Sequence, residues 1–410
     1  MTIQLIHVSD IHFGSGEGHG RLNPESGLNS RFEDFVSALM KTVDYAIDKQ
    51  VDVFLFSGDA YRNASPEPIY QKMFAGQLKR LSDAGITTIL LVGNHDQILR
   101  SSGSHAMSVF QSLAVPGVIT IDQPFCRRIE TANGPFQLIG IPHVTRHQLM
   151  TSDKYASMNA ASLDRTLVDH VESLLKGYYD SLDPAIPSVV TAHMTLDRAL
   201  AGIEKELLIG YTLTFPADIF IDERLDYVAL GHVHKHQAIR AASPAIVYAG
   251  SLERVDFGEE DEDKGFIHVE LERGNTRWHF QSIDPRPFVT VDMDLTRRKD
   301  KDSSTALCEA IERKILPGCV LRVRYKIAYD QAAAIDENRL RSSCSPASSV
   351  RFQPEVVPAK NRARLPQLNE ATAYKPLDAL EIYLNATAPD RKEKLLERAR
   401  QLIEEAKLSD

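Results

Sequence analysis

Five short motifs rich in hard metal donors occur in a fixed order over residues 10–234: Asp10-Ile11-His12, Gly58-Asp59, Gly93-Asn94-His95-Asp96, Ala192-His193 and Gly231-His232-Val233-His234. Most of them end a run of apolar β-formers: IQLIHVSD, VDVFLFSGD, TTILLVGNHD, PSVVTAH and DYVALGH. If these runs are neighbouring strands of one sheet, their carboxyl ends converge on a rim. The polar motifs then form one site rather than five scattered ones.

The residue types at that rim suit a pair of divalent cations. Asp10 and His12, at i and i+2, project the same way where a strand runs out, and His232 and His234 do so from another. Asp59, at a sharp Gly-Asp turn, is placed to bridge two ions with one carboxylate. Asn94 offers a neutral amide oxygen and His193 an imidazole. We therefore expect Asp10, His12 and His234 on one metal, Asn94, His193 and His232 on the other, and Asp59 on both. Two divalent ions against two carboxylates leave the site positive, as an anionic phosphodiester requires. Oxygen and nitrogen ligation without thiolate suits Mn²⁺ or Fe²⁺ and leaves Mg²⁺ open. His95 diverges from its neighbour Asn94 at the strand end. It is expected to face the substrate, stabilising the phosphoryl group or protonating the leaving alkoxide. Asp96 is expected to hold that imidazole or its loop by hydrogen bonding.

Residues 1–95 read as strand, helix, strand, helix, strand, which implies a parallel sheet with right-handed crossovers. The first helix opens at Ser30 with Glu33 three residues on, a capping-box pattern. Its residues Phe32, Phe35, Val36, Leu39, Val43, Ala46 and Ile47 fall at helical spacing. The second helix is entered through Ser65-Pro66. Later strands are expected at 118–121, 136–141, 188–192, 226–230, 246–249, 265–271 and 276–283. With this second group, a two-sheet α/β sandwich is favoured over one open sheet. Residues 288–295, 304–313, 319–327, 335–343 and 349–357 alternate strand, helix, strand, helix, strand, the pattern of a small second domain. A polar linker is expected at 360–373, followed by two short amphipathic helices broken at Pro389. Their apolar positions are Leu377, Leu380 and Leu384 in the first, then Leu395, Ala399, Leu402 and Ala406 in the second.

A chain of 410 residues exceeds one ordinary core. No leader and no apolar run of ~20 residues is seen, which predicts no membrane partner. Cys126, Cys308, Cys319 and Cys344 form no C-x-x-C pair and read as reduced thiols of a cytosolic protein. The net charge of −9 is uneven: residues 1–285 hold 24 Lys+Arg against 37 Asp+Glu, and residues 286–410 hold 23 against 19. Any electrostatic footprint for a nucleic acid must therefore be local. No G-x-x-x-x-G-K-[ST] occurs, so any ATP dependence must come from another chain. His7 reads as a core histidine and His19 as a solvated loop residue; His143 follows a strand end, where a place bordering the cleft is open but a structural loop is favoured.

The motif series resembles the calcineurin-like metallophosphoesterases, and within them the SbcD-type nuclease of bacterial double-strand-break repair. ASPEP after Asp59 and YAGSLERVDFGEEDEDKGF at 248–266 extend the likeness. The resemblance implies an α/β fold: a two-sheet metallophosphoesterase sandwich over 1–285, a small α+β capping and DNA-binding domain over 286–358, and a linker with partner-docking helices over 359–410. It implies manganese as the usual activator, His95 as the catalytic histidine, and DNA as substrate. The reactions implied are 3′→5′ exonuclease action on duplex ends and endonuclease action on single strands or hairpins. It further implies a homodimer in the cytoplasm, associated with the nucleoid, working with a long coiled-coil ATPase of the SbcC type. Arg62 stands where archaeal and eukaryotic members carry a second histidine, so no second catalytic histidine is expected. The rival reading is a phosphoesterase of small esters or cyclic nucleotides, which has little need of a net-basic second domain and docking helices. A non-enzymatic scaffold is disfavoured by the intact ligand set.

Overall fold

A computed structural model of the chain describes residues 2–97, 104–146, 158–200, 213–296, 302–357, 376–387 and 392–407. The chain divides into two compact units, one formed by residues 1–290, 314–322 and 344–351, the other by 291–313, 323–343 and 352–410.

The first unit is a sandwich of two six-stranded sheets. One sheet carries β1 (Ile3–Val8), β2 (Val53–Phe56), β3 (Thr87–Leu91) and β4 (Val118–Ile121) in parallel, and β13 (Gly265–Leu271) and β14 (Arg277–Ser282) follow antiparallel beyond β1. The other carries β6 (Gly134–Ile141), β7 (Ser188–His193), β10 (Tyr227–Gly231) and β12 (Ala245–Tyr248) in parallel. Its edges are antiparallel: β5 (Phe125–Thr131) beside β6 and β11 (Gln237–Arg240) beside β12. Short strands β8 (Thr195–Leu196) and β9 (Thr214–Phe215) pair separately.

The five motif strands are thus not neighbours in one sheet. β1, β2 and β3 lie side by side in the first, β7 and β10 side by side in the second. The sequence runs are apolar almost without alternation because both faces of each parallel strand are covered. Leu5, Val53, Leu55, Ile89 and Leu91 meet Leu138, Val189, Ala229 and Val247 between the sheets. On the outer face of the first sheet pack α1 (Ser30–Asp48) and α2 (Pro68–Asp83), through Phe32, Phe35, Leu39, Val43, Phe74 and Leu78. A helix at Ala160–Asp180 covers the second sheet through Val171, Leu175 and Tyr179. Each such side chain removed from water contributes about 1.5–3 kcal/mol, so the four layers are held mainly by apolar burial.

The start of α1 differs from the capping-box expectation. Asn29 is the cap, its side chain accepting from Arg31 N at 2.9 Å. Glu33 does not reach back to Ser30; it accepts from Asn23 and Ser26 instead. The amide oxygen one residue earlier already satisfies the first orphan donor, and Glu33 is left to fasten the preceding loop.

In the later part of the chain β15 (Phe288–Asp294), β16 (Val320–Ala328) and β17 (Ser349–Val357) form a three-stranded sheet in that order, with helices Ser303–Lys314, Tyr329–Ala332 and Glu337–Ser343 between them. The two last helices, Pro376–Thr387 and Lys392–Lys407, belong to the second unit and bury Leu384 and Leu396. Leu395 and Leu402, expected on the apolar stripe, are 43% and 50% exposed. The linker read at 360–373 and the Pro389 break lie outside the described residues. Among the described residues no helix is long and apolar enough to cross a membrane.

Candidate metal centre

The carboxyl ends of β1, β2 and β3 and those of β7 and β10 open on the same rim of the sandwich, and hydrogen bonds join the two sheets there. Ser57 Oγ meets Thr191 Oγ1 at 2.9 Å, and the main-chain N of His232 donates to the Asp10 carboxylate at 3.1 Å. Deeper in the sandwich His7 meets the Tyr227 hydroxyl at 3.0 Å, the core role read for it.

The seven residues singled out as candidate ligands come together in two groups that share Asp59. Asp10, His12 and His234 place their donor atoms within 4.8 Å of one another, as do Asp59, His193 and His232; His12, Asp59 and His95 form a third such group at the exposed edge. His12 Nε2 lies 2.9 Å from His234 Nε2 and 3.8 Å from Asp10 Oδ1. In the other group Asn94 Oδ1 lies 2.9 Å from His193 Nε2 and 2.8 Å from His232 Nδ1. Asp59 Oδ2 faces both, at 3.7 Å from His12 Nε2 and 3.2 Å from His193 Nε2.

Local backbone geometry makes this convergence. Asp10, His12, Asp59 and His232 have φ of 52°, 50°, 69° and 91°, the left-handed region that non-glycine residues avoid. Such strain costs on the order of 1–3 kcal/mol per residue and persists only where surrounding structure enforces it. Asp96 is part of that enforcement. Its buried carboxylate accepts from Ala60 N, Tyr61 N and Gly93 N, tying the Asp59 and Asn94 turns together. It thus holds the loop rather than the His95 ring. The glycines before two of the ligands are needed for close approach. A Cβ on Gly93 would stand 2.0 Å from Asp59 Oδ1, and one on Gly58 2.1 Å from His193 Nδ1.

The donor set fits cations. His193 Nδ1 lies 2.7 Å from the Ser57 carbonyl, which can only accept, so this nitrogen carries the hydrogen. A neutral His193 then presents a bare Nε2 to two further acceptors, Asn94 Oδ1 and Asp59 Oδ2. Acceptors facing acceptors need a positive charge between them, from a metal or a proton. The titration pattern says the same. Burial opposes charge on His193, but the charge and hydrogen bond of Asp59 prevail and push it up to about 9. Burial acts against ionised Asp59 too, yet the His193 and His12 rings hold its carboxyl well below the usual range. Burial raises Asp10 to about 6, and burial with the neighbouring Asp59 charge raises Asp96 to about 7. His12 and His232 are kept neutral by burial, the form in which imidazole ligates.

His95 sits at the exposed edge. Its main-chain N donates to Asp59 Oδ1 at 2.9 Å, and Nδ1 donates to the Arg62 carbonyl at 2.9 Å. Its ring stands edge-on to His12 at 5.0 Å between centroids. At position 62 it is thus the backbone, not a histidine side chain, that orients the imidazole.

Two residues differ from the sequence reading. His143, taken as a loop residue, borders the second group: Nδ1 donates to the His193 carbonyl at 3.3 Å and its ring lies 5.6 Å from that of His232. Its place just after β6, the strand beside β7, is the signal that keeps a cleft position open in the sequence. His19, expected in solvent, is half-buried against Phe257 and Phe288.

A sandwich of two mixed sheets with a donor-lined rim defines a class of phosphoesterase folds, and comparison with known proteins agrees. The family model described as calcineurin-like phosphoesterase matches residues 3–236, and the chain belongs to that family. The metallophosphoesterase fold binds two divalent metal ions. The chain is 23% identical over 273 residues to the SbcD component of the nuclease SbcCD of Escherichia coli K12, covering 65% of this chain and 64% of that protein. It is 26% identical over 293 residues to "DNA double-strand break repair protein Mre11" of Haloferax volcanii, covering 71% and 55%. It is 24% identical over 318 residues to "Uncharacterized metallophosphoesterase YhaO" of Bacillus subtilis 168, covering 76% and 67%. The chain spans just under two thirds of the length of the first of these relatives.

Proposed function

We propose that this chain is a metal-dependent DNA nuclease that hydrolyses phosphodiester bonds in double-strand-break repair. The observation that carries the proposal is the convergence of seven donor side chains, from five strand ends in two sheets, into two groups sharing Asp59. Relatives named as a nuclease component and as a double-strand-break repair protein favour DNA over small esters. In this reading Asp10, His12 and His234 hold one ion, Asn94, His193 and His232 the other, and Asp59 both. Mn²⁺ is the activator, with Fe²⁺ and Mg²⁺ as alternatives.

Two divalent ions, when bound, would lower the pKa of a water and stabilise charge on the phosphoryl oxygens. The protein supplies the rest. Asp96 and the Ser57 carbonyl fix the ligands before substrate arrives, so little reorganisation remains. His95, pinned at N and Nδ1, presents Nε2 at the exposed edge, where as an imidazolium it protonates the departing alkoxide or donates to the phosphoryl oxygen. Residues 286–358 serve as a capping and DNA-binding domain, consistent with the positive balance after residue 286. The last two helices dock the SbcC-type coiled-coil ATPase. Exposed Leu395 and Leu402 supply an apolar surface for that contact. The working form is a cytoplasmic, nucleoid-associated homodimer.

The test is a Mn²⁺-dependent assay comparing blunt duplex DNA, hairpin DNA and a small chromogenic phosphodiester. Cleavage of both DNA substrates is expected. Turnover confined to the small ester overturns the nuclease reading in favour of a small-molecule phosphoesterase.

A further inference from the structure

Within the acidic stretch Asp256–Asp263 one carboxylate is buried at the metal centre. Glu259 closes a 3₁₀ turn, Phe257–Glu259, and is 5% exposed. Its Oε1 lies 2.8 Å from His234 Nδ1. Its Oε2 accepts from Lys264 Nζ and from Val255 N, each at 2.9 Å. Lys264 is 1% exposed and also donates to the His234 main-chain carbonyl at 3.1 Å. Between them the two side chains grip both the ring and the backbone of His234.

We infer that Glu259, held in place by Lys264, is a positioning residue that orients His234 and strengthens the hold of Asp10, His12 and His234 on their ion. This rests on the ligand reading above and names what tunes one half of it. An ionised carboxylate only accepts, so His234 Nδ1 carries its hydrogen and Nε2 is left as an electron pair. That Nε2 points toward His12 Nε2, 2.9 Å away. The Lys264 ammonium and the Val255 N–H both point at Oε2, a setting that suits Glu259 as a carboxylate.

The two groups differ in this respect. His193 is backed by the neutral Ser57 carbonyl, His234 by a full carboxylate. A carboxylate behind a ligating imidazole raises its donor strength, and losing such a partner costs about 10–100-fold in metal affinity. Lys264 alone would satisfy a structural Glu259; the second oxygen, aimed at His234, is what a purely structural pair leaves unexplained. The neighbouring Glu260 bonds Thr290 N and Oγ1 instead, which makes it an internal control.

The experiment is calorimetric titration of the full chain with Mn²⁺, with melting in chelator to confirm each variant is folded. E259Q is expected to weaken one of two binding events about 10–100-fold and leave the other unchanged, while E260Q behaves as wild type. In an H234A background, E259Q is expected to add no further loss, because the effect runs through the missing ring. If E259Q does not fold, E259D, which draws the carboxylate away from the ring, is expected to weaken the same event. Unchanged affinities in the folded Glu259 variant, equal weakening of both events, or an E259Q loss that persists in full without His234 would overturn the assignment. H234A that binds both ions as wild type does would instead overturn the ligand reading on which it rests.

Discussion

Asp59→Ala is expected to abolish Mn²⁺-dependent hydrolysis, by at least about 10²–10³-fold, the range for removing one group that stabilises charge in a transition state. It is also expected to remove the rise in melting temperature that Mn²⁺ gives the wild type. The reason lies in one carboxylate serving three neighbours. Its Oδ2 faces His12 at 3.7 Å and His193 at 3.2 Å, and its Oδ1 accepts from His95 N at 2.9 Å. Ligand binding at ~100 times its Kd stabilises a fold by about 2.7 kcal/mol per site, so losing both ions leaves a clear signature. Thermal melting with and without Mn²⁺ reads it directly. A variant that keeps the full metal-linked shift would remove Asp59 from its bridging place.

His95→Ala should behave differently. The imidazole lies at the exposed edge, fixed by the Asp59 carboxylate and the Arg62 carbonyl, and its Nδ1 is committed to that carbonyl. With Nδ1–H so committed, Nε2 donates a proton or hydrogen bond to substrate only from the imidazolium form, a role that contributes about 10²–10⁴-fold. Hydrolysis is expected to fall by that factor, with the Mn²⁺-linked melting shift retained. The pair of variants thus separates holding metal from using it. Equal loss of metal-linked stabilisation in both would contradict the division of roles.

Much of the site was legible because each motif sits where a strand ends, and strand ends in parallel sheets share a side. Asp10, Asp59, Asn94, His193 and His232 could be assembled from that fact alone. The division of their strands between two sheets was less visible, since uniformly apolar runs such as VDVFLF show burial on both faces but not which neighbour covers them. Left-handed backbone at Asp10, His12, Asp59 and His232 leaves no trace in residue type; only the adjacent Gly58 and Gly231 hint at crowding. Edge strands β5 and β11 escaped because Arg127, Arg128 and Gln237 interrupt their apolar pattern. The Ala160–Asp180 helix, by contrast, has Leu163, Leu167, Val171 and Leu175 at four-residue steps behind the Asn159 cap, a readable signal passed over. Glu259 was hidden by composition: one buried acid among partly or fully exposed ones looks like all the others.

The claim beneath all of this is that two ions bind at the rim and share Asp59. Anomalous scattering from crystals grown with Mn²⁺ tests it most directly. Two peaks are predicted, one bordered by Asp10, His12 and His234, the other by Asn94, His193 and His232, with the Asp59 carboxylate against both. A single peak, or peaks away from these residues, would contradict it.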